Sequence, residues 1–121
     1  MLTARFASSR RWDRTLETAR EWLSVEPENI DARKAAGQAL VFLDKKTEAE
    51  PHMNRVLAAR PDLDQAHRLM SLIHFKVGRF KEADESIREA IALNPEEALN
   101  WYQLARMCYL QGDLVAFFEK Q

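Results

Sequence analysis

The sequence predicts an all-α chain, an α-α superhelix in which antiparallel helix pairs stack in series. Three prolines, Pro27, Pro61 and Pro95, are spaced 34 residues apart, and many apolar positions repeat with the same period. Within each period the apolar residues recur every three to four positions, which is the spacing of one helix face. Ala, Leu, Glu and Arg dominate the composition, and only 3 glycines occur, which favours helix. Two-helix units repeated in this way form a superhelix of about three and a half repeats.

Residues 1–29 make up the first predicted unit, which lacks its opening residues. Phe6 and Leu23 are in phase with apolar residues of the later units, and Pro27 closes the unit. Arg10 stands at the place where the third and fourth units have glycine.

Residues 30–63 make up the second unit, which departs most from the pattern. Asp44 replaces the glycine between its two helices. Thr47 and Glu50 have the spacing of a capping box, and Pro51 is tolerated only near the start of a helix. We therefore expect the second helix of this unit to begin late or irregularly.

Residues 64–97 form the most regular unit. Its first helix carries an apolar stripe that includes Met70 and stops at Gly78, because glycine permits the left-handed backbone that ends many helices. Its second helix carries Ala83 and Ile87 and ends before Pro95, since proline disfavours helical geometry in the residue before it. Pro95 is expected to open the next helix.

Residues 98–121 make up the fourth, incomplete unit, which contains a first helix and about two turns of a second. Gly112 is predicted to separate them. Cys108 shares the phase of Phe6, and we expect it to be a small buried residue. The apolar segment 114–118 has no later helix to cover it, so the chain is expected to be a piece of a longer protein or to pair with another chain through its ends.

The third unit resembles a tetratricopeptide repeat. The residues that carry the resemblance are Met70, Ser71, His74, Gly78, Phe80, Ala83, Ile87, Ala90 and Pro95. The fourth unit supplies Trp101, Leu104, Ala105, Gly112 and Leu114 at the matching places, and the second supplies Ala36, Gly37, Leu40, Ala49, Leu57 and Pro61. The resemblance covers essentially the whole chain. It implies one repeat domain over residues 1–121 that binds other proteins.

The resemblance also implies a binding groove on the concave face, formed mainly by the first helix of each pair. Its register assigns to the groove Lys34, Gln38, Phe42, Gln65, Arg68, Leu72, Phe75, Lys76, Tyr102, Arg106 and Tyr109, with Val41, Leu69, Leu99, Gln103 and Leu110 as further positions. Aromatic and arginine side chains often carry the binding energy of interfaces. We expect a partner segment with apolar side chains and some negative charge. Alternatively, several of these residues only cover helix surface or contact the next repeat.

One subclass of the family holds a C-terminal carboxylate with lysine, arginine and asparagine at set groove places. Of the residues at those places in this sequence, only Lys34 fits. The sequence therefore argues against a clamp for chaperone tails.

No residue pattern predicts catalysis, a metal site or a cofactor. His67 and His74 lie seven residues apart on one predicted helix, as two metal ligands can, but both occupy places where the repeat expects a bulky core residue. A core role is the favoured interpretation. Cys108 has no identifiable base beside it, so a catalytic thiol is not expected.

The composition narrows the class of partner. Lys and Arg number 18 against 19 Asp and Glu, which argues against a dedicated nucleic-acid binder. No apolar run approaches the length of a membrane span. The single cysteine gives no sign of a disulfide framework, and we expect a cytoplasmic protein.

The sequence thus predicts a scaffold, not an enzyme, that binds a peptide or protein segment in its concave groove. Two alternatives remain. The chain is the non-catalytic repeat region of a larger enzyme resembling a glycosyltransferase or sulfotransferase, or it is a self-association module that uses its exposed ends.

Overall fold

The computed structural model describes the backbone of residues 2–119 and the side chains of residues 10–112. Six α-helices and no strand occur in that part of the chain. They are α1 (Leu2–Val25), α2 (Ile30–Phe42), α3 (Lys46–Ala59), α4 (Asp64–Lys76), α5 (Phe80–Leu93) and α6 (Ala98–Glu119). Each helix packs on the next along the chain, and α4 also touches α2 and α6. The predicted all-α superhelix is confirmed.

The prolines lie between helix pairs, as predicted, but they do not open the following helix. Pro27, Pro61 and Pro95 each occupy the turn, three residues before the next helix begins. In the first of these turns Asn29 caps α2, and its side-chain oxygen accepts a hydrogen bond from the Ala32 N–H at 2.9 Å. An N-cap side chain satisfies an N–H of the first turn, which a proline cannot do.

One hydrogen bond recurs at all three of these turns. Arg33 Nη2 donates to the carbonyl oxygen of Pro27 at 3.1 Å, and Trp101 Nε1 donates to that of Pro95 at 2.7 Å. His67 Nε2 lies 2.8 Å from the Pro61 carbonyl oxygen. Because a carbonyl only accepts, Nε2 of His67 carries the proton. The bond ties each turn to the first helix that follows it.

The turns inside the two complete pairs share one backbone geometry. Gly78 has φ +87°, and Asp44, at the same place in the second unit, has φ +63°. The N–H of the next residue, Lys45 or Arg79, donates 2.8 Å back to a carbonyl of the preceding helix in both turns. The left-handed conformation predicted for glycine is therefore also adopted by an aspartate.

The prediction that α3 begins late was wrong. α3 begins at Lys46 and has 14 residues, as does α5. Lys45 is the N-cap and Thr47 lies inside the helix, so no capping box forms. Pro51 lies on the exposed side of α3, while Ala49 on the opposite side is fully buried. Burial of that side holds the helix in place despite the hydrogen bond that a proline removes.

The end units are not helix hairpins. α1 runs without a break through Arg10, and α6 runs through Gly112, where the sequence predicts a turn. Among the described atoms outside its own helix, none lies within 4 Å of the position that a Gly112 Cβ would take, so no close contact requires glycine there. The predicted second helix of the fourth unit is replaced by a continuation of α6. The expectation that the apolar segment 114–118 lacks a covering helix concerns side chains outside the described range.

The core follows the stacked helices in two clusters of buried residues. The larger joins α1 to α4 through residues such as Leu40, Met53 and Ile73, and the smaller joins α5 to α6 through Ile87 and Met107. Cys108, expected to be buried, is exposed, because no helix in the described residues covers that side of α6. None of the described helices has the length and apolarity needed to cross a membrane.

Candidate peptide-binding groove

A groove of about 420 Å³ runs across the first helices α2, α4 and α6. It exists because these helices lie side by side along the stack and present the same register positions. Its lining consists of Lys34, Gln38, Phe42, Gln65, Arg68, Leu69, Leu72, Leu99 and Gln103. Six of these residues belong to the principal predicted set, and the other three to its further positions.

The two basic residues of the groove are held by neutral amides. Lys34 Nζ donates to Gln65 Oε1 at 2.8 Å, which links α2 to α4. Arg68 Nη1 donates to Asn100 Oδ1 at 2.8 Å, and Asp64 Oδ2 lies 3.9 Å from it. Lys34 thus has no carboxylate partner in the described residues, whereas Arg68 has one close by.

Asn100 is the residue that sequence reasoning missed. Its side chain is fully buried, and its Nδ2 donates to Asp64 Oδ2 at 3.1 Å and to the Ala90 carbonyl at 3.3 Å. It therefore connects α4, α5 and α6 behind Arg68. The sequence marks this position in one way: the residues in phase with it, Ala32 and Ala66, are small and apolar, and Asn100 is the polar exception.

Gln103 adds a second polar link between α6 and α4. Its Nε2 donates to the Arg68 carbonyl at 2.9 Å and also contacts the Ser71 hydroxyl. Buried polar networks of this kind fix the orientation of helices when every member is satisfied. The groove wall between α4 and α6 is therefore preorganised.

The apolar part of the groove is partly open to solvent. Phe42 is 49% exposed and stacks on Trp12 of α1, with ring centroids 4.7 Å apart. Leu99 at the other end is 55% exposed. Leu69 and Leu72 lie between them and are half-buried. An exposed aromatic ring held by a second ring is a surface on which an apolar side chain can pack with little loss of entropy.

The remaining predicted residues do not line this groove. Phe75 packs edge-on against Phe80, 5.1 Å between centroids, beside the α5–α6 core. Lys76, Tyr102, Arg106 and Tyr109 are exposed elsewhere on α4 and α6. Of the further positions, Val41 is fully buried in the core and Leu110 is exposed on α6. The exposed positions on α6 lack a wall opposite them, because in the described residues no first helix follows α6.

The two candidate metal ligands do not form a site. His67 is engaged by the Pro61 carbonyl, and His74 is half-buried with its Nδ1 unpartnered. No group of three His, Cys, Asp or Glu side chains in the described residues is arranged to hold a metal ion.

Four titratable groups among the described residues have shifted pKa values, and none of them lines the groove: Glu50 and His52 on α3, Asp62 in the turn after α3, and Arg79 before α5. A hydrogen bond from Arg79 holds the pKa of Glu50 below its ordinary 4.5. Burial, with the nearby charges of Arg33, Arg20 and Arg55, lowers the pKa of His52 below 6.5. Both shifts have packing causes, so they give no support to a catalytic interpretation.

Residues 68–120 match the sequence model of the tetratricopeptide repeat. Among curated proteins, the chain is similar to Protein O-mannosyl-transferase TMTC1 of Mus musculus, 30% identical over 75 residues, or 62% of this chain and 8% of that protein. The Homo sapiens protein of that name is 25% identical over 96 residues, covering 79% of this chain and 11% of the relative. The chain thus spans about a tenth of these relatives.

Solved structures with the same fold include MamA 41-end from Desulfovibrio magneticus RS-1. It superposes with TM-score 0.77 at 23% identity, over 93% of this chain and 64% of that one. The first TPR of Spaghetti (RPAP3), bound to the HSP90 peptide SRMEEVD, superposes with TM-score 0.75 at 17% identity, over 84% and 81%. These likenesses concern the fold.

Proposed function

We propose that this chain, which carries tetratricopeptide repeats and matches the family over residues 68–120, binds an extended segment of another protein in the groove across α2, α4 and α6. The observation that carries the proposal is the composition of that groove. Apolar, amide and basic side chains together line one groove with a volume of about 420 Å³. Binding sites for peptides combine apolar anchors with a few fixed polar groups in this way.

The polar side chains define the chemistry of the partner. Lys34 is paired only with the neutral amide of Gln65, so an acidic side chain of a bound segment can replace that amide and gain a charge-assisted hydrogen bond. Gln38 and Gln103 can pair with the backbone of an extended segment. Phe42 and Leu99 offer packing surface for apolar side chains. The proposed ligand is an extended peptide with apolar residues around one acidic residue.

The RPAP3 repeat domain, a structural neighbour, is bound to the acidic peptide SRMEEVD. That precedent supports peptide binding by this fold but not the same ligand. Of the residues at the places that hold a terminal carboxylate in the clamp subclass, only Lys34 has the expected type in this chain. We expect the peptide SRMEEVD to bind this chain much more weakly than peptides selected for it.

A selection experiment tests the proposal. A display library of short random peptides is panned on the purified chain, and the recovered peptides are titrated by fluorescence anisotropy. We expect acidic, apolar sequences to be recovered. Leu72→Glu and Lys34→Ala are each expected to weaken their binding by about tenfold or more, since both positions line the groove.

Ala58→Glu on the exposed side of α3 is the matched control for an added charge, and it is expected to leave the affinity unchanged. The circular dichroism of every variant must match the parent chain. Peptides that bind the parent and the groove variants with equal affinity would contradict the proposal, as would a library that yields no binder.

A second candidate function is supported by the similarity to Protein O-mannosyl-transferase TMTC1. In this hypothesis the chain is a repeat segment of a larger transferase and contributes binding but no catalysis. Sequencing the coding region on both sides of this segment tests it. A catalytic domain encoded in the same reading frame supports the hypothesis, and a frame that holds only helical repeats contradicts it.

A further inference from the structure

α6 has one packed face and one bare face. Asn100 and Met107 are buried against the preceding helices. On the opposite face Ala105 and Cys108 are exposed, and Trp101 is 50% exposed. An apolar face of this kind on a stacked helix is normally covered by a neighbour.

The two complete pairs show what covers this face. Ala105 is in phase with Gly37 and Ser71, and both of these are buried. A Cβ at Gly37 would lie 2.5 Å from Met53 Sδ and 3.6 Å from His52 Cβ, so α3 approaches α2 closely at this point. α6 has a small residue at the same place, but no second helix lies over it in the described residues.

α1 has the complementary bare face. Residues 12–25 have the register of a second helix, in which Trp22 is in phase with Val56 and Ala90. Those two residues are fully buried, whereas Trp22 is 40% exposed. Trp22, Thr15 and Thr18 line a groove of about 300 Å³ beside α2. Thr18 is in phase with His52, and His52 faces α2, the first helix of its own pair. The groove at Thr18 therefore lies on the side of α1 where the first helix of its pair would pack.

The lengths of α1 and α6 point to the same match. They have 24 and 22 residues, whereas the other helices have 13 or 14. α6 continues past the turn position at Gly112 through residues 113–119, and α1 begins ahead of the second-helix start at Trp12 with residues 2–11. In an antiparallel pair of α6 and α1, the extension of α6 after Gly112 and the extension of α1 before Trp12 lie side by side at the same end of the pair. When the two helices belong to different chains, no turn has to connect them at that end, so both helices can be longer than those of an ordinary pair.

We propose that α6 of one copy of this chain packs antiparallel against α1 of a second copy, and that together they form a composite two-helix unit. The repeat register gives the contact. Since Gly37 lies against His52 and Met53, Ala105 of one copy lies against Thr18 of the next, beside Ala19, which is already buried in the single copy. The contact uses the ends of the stack and leaves the groove across α2, α4 and α6 open.

The association is head-to-tail and does not close after two copies. Each added copy leaves one free α1 and one free α6, as in other heterologous contacts. Within one copy α1 and α6 do not touch in the described residues. The mass in solution is therefore expected to grow with concentration from the 14.1 kDa monomer past the dimer.

Sedimentation velocity on the whole chain tests the proposal. The parent chain is expected to form dimers and larger species as its concentration rises. Ala105→Glu and Thr18→Glu each place a charge in the contact, and each is expected to abolish species larger than a dimer and to weaken self-association at least tenfold. Both positions are exposed in the single copy, so the fold is expected to stay intact by circular dichroism. Ala58→Glu is the matched control and is expected to associate like the parent.

A mixing experiment distinguishes this contact from other modes of association. Thr18→Glu retains a functional α6 face and Ala105→Glu retains a functional α1 face, so an equimolar mixture is expected to form a dimer and nothing larger. A direct readout is a disulfide between Thr18→Cys and Ala105→Cys on separate chains, both in a Cys108→Ser background. Oxidation is expected to cross-link this pair but not Ala58→Cys with Thr18→Cys.

A parent chain that stays monomeric at every concentration overturns the proposal and assigns the two faces to other polypeptide segments. Variants that associate like the parent, or a mixture that stays monomeric while the parent associates, overturn it as well.

Discussion

At the scale of single residues, the backbone geometry of the turns is determined more strongly by the fold than by residue type. The family resemblance marks position 44 as a glycine place, yet Asp44 adopts φ +63° there. Aspartate tolerates the left-handed region better than most residues, but at an energetic cost that glycine avoids. The resemblance predicts where the turn lies and not how an aspartate adapts to it.

Replacing Asp44 with glycine is expected to stabilise the chain by up to about 1 kcal/mol. Removing the Cβ relieves the left-handed strain, and the greater freedom of glycine in the unfolded chain offsets part of the gain. The Asp44–Lys46 ion pair that is lost is largely exposed and contributes little. Urea denaturation monitored by circular dichroism measures the effect.

Gly78→Ala is the matched control, because it adds a side chain to the equivalent left-handed position. It is expected to destabilise the chain by about 1 kcal/mol or more. An unchanged or lowered midpoint for Asp44→Gly would show that the aspartate is not strained.

Single-residue placement also separates the groove positions that were predictable from those that were not. Lys34 and Leu72, which the register assigns to the groove, line it in the structure and lie in the inner turns of their helices. Phe75 shares that register but lies at the end of α4, where Phe80 of the next helix is within reach. Asn100 was not predictable as a groove support, because its role depends on Asp64, which is distant in sequence.

At the scale of the elements, helix starts between units follow from the sequence and helix ends at the outer units do not. The 34-residue spacing of prolines fixes the breaks before α2, α4 and α6. Arg10 and Gly112 occupy turn places in the repeat. A turn there would break helix hydrogen bonds, and that cost is offset only where the two resulting helices pack against each other. Pro51 shows the reverse case, since packing of α3 overrides a local signal for a late start.

α3 and α5 are joined by an ion pair with two contacts. Arg79 Nη1 and Nη2 each donate to a Glu50 carboxylate oxygen at 3.0 Å. Arg79 immediately follows the left-handed Gly78, so the bond connects the start of one second helix with the middle of the preceding one. A guanidinium that grips both carboxylate oxygens gives the contact a defined orientation.

This pair is expected to make part of the stability dependent on pH. The folded chain holds the pKa of Glu50 below 4.5, so it binds fewer protons there than the unfolded chain. The stabilisation is present above pH 4.5 and is lost as the pH falls through the lowered pKa. Glu50→Gln is therefore expected to unfold at lower urea concentration than the parent at neutral pH, with the difference shrinking below pH 4.5.

Glu85→Gln, on the exposed side of α5, removes the same charge and serves as the control. It is expected to leave the midpoint nearly unchanged. A Glu50→Gln variant whose midpoint follows that of the parent at every pH would contradict the assigned role of the pair.

At the scale of the whole molecule, stability is distributed unevenly along the stack. In the part of the chain that the structure describes, α2 to α5 are covered by neighbours on both sides, whereas α1 and α6 each have neighbours on one side. In a linear array the local stability is set by the contacts with adjacent repeats. The periodicity of the sequence predicts the stacked pairs α2–α3 and α4–α5, because these two pairs repeat the same local contacts, but it does not predict the unbroken helices α1 and α6.

Amide hydrogen exchange on a dilute sample is expected to show this gradient. Amides of α3 and α4 should exchange most slowly, and those of α6 faster by about tenfold or more, because opening one end disturbs fewer contacts. Mass spectrometry of proteolytic fragments measures the rates. Uniform protection from α2 to α6 would contradict a stack held by nearest neighbours. Raising the concentration should protect α6 if copies associate through it.

The hydrogen bond to each proline carbonyl shows how successive repeats of this chain differ in sequence and agree in structure. Guanidinium, imidazole and indole groups occupy equivalent sites in successive turns, and each directs one N–H at the same oxygen. What the three positions share is an N–H donor that reaches the carbonyl, while the group that bears it differs in each repeat. A comparison of the repeats that scores amino-acid types finds three unrelated residues at a position where the structure has one interaction.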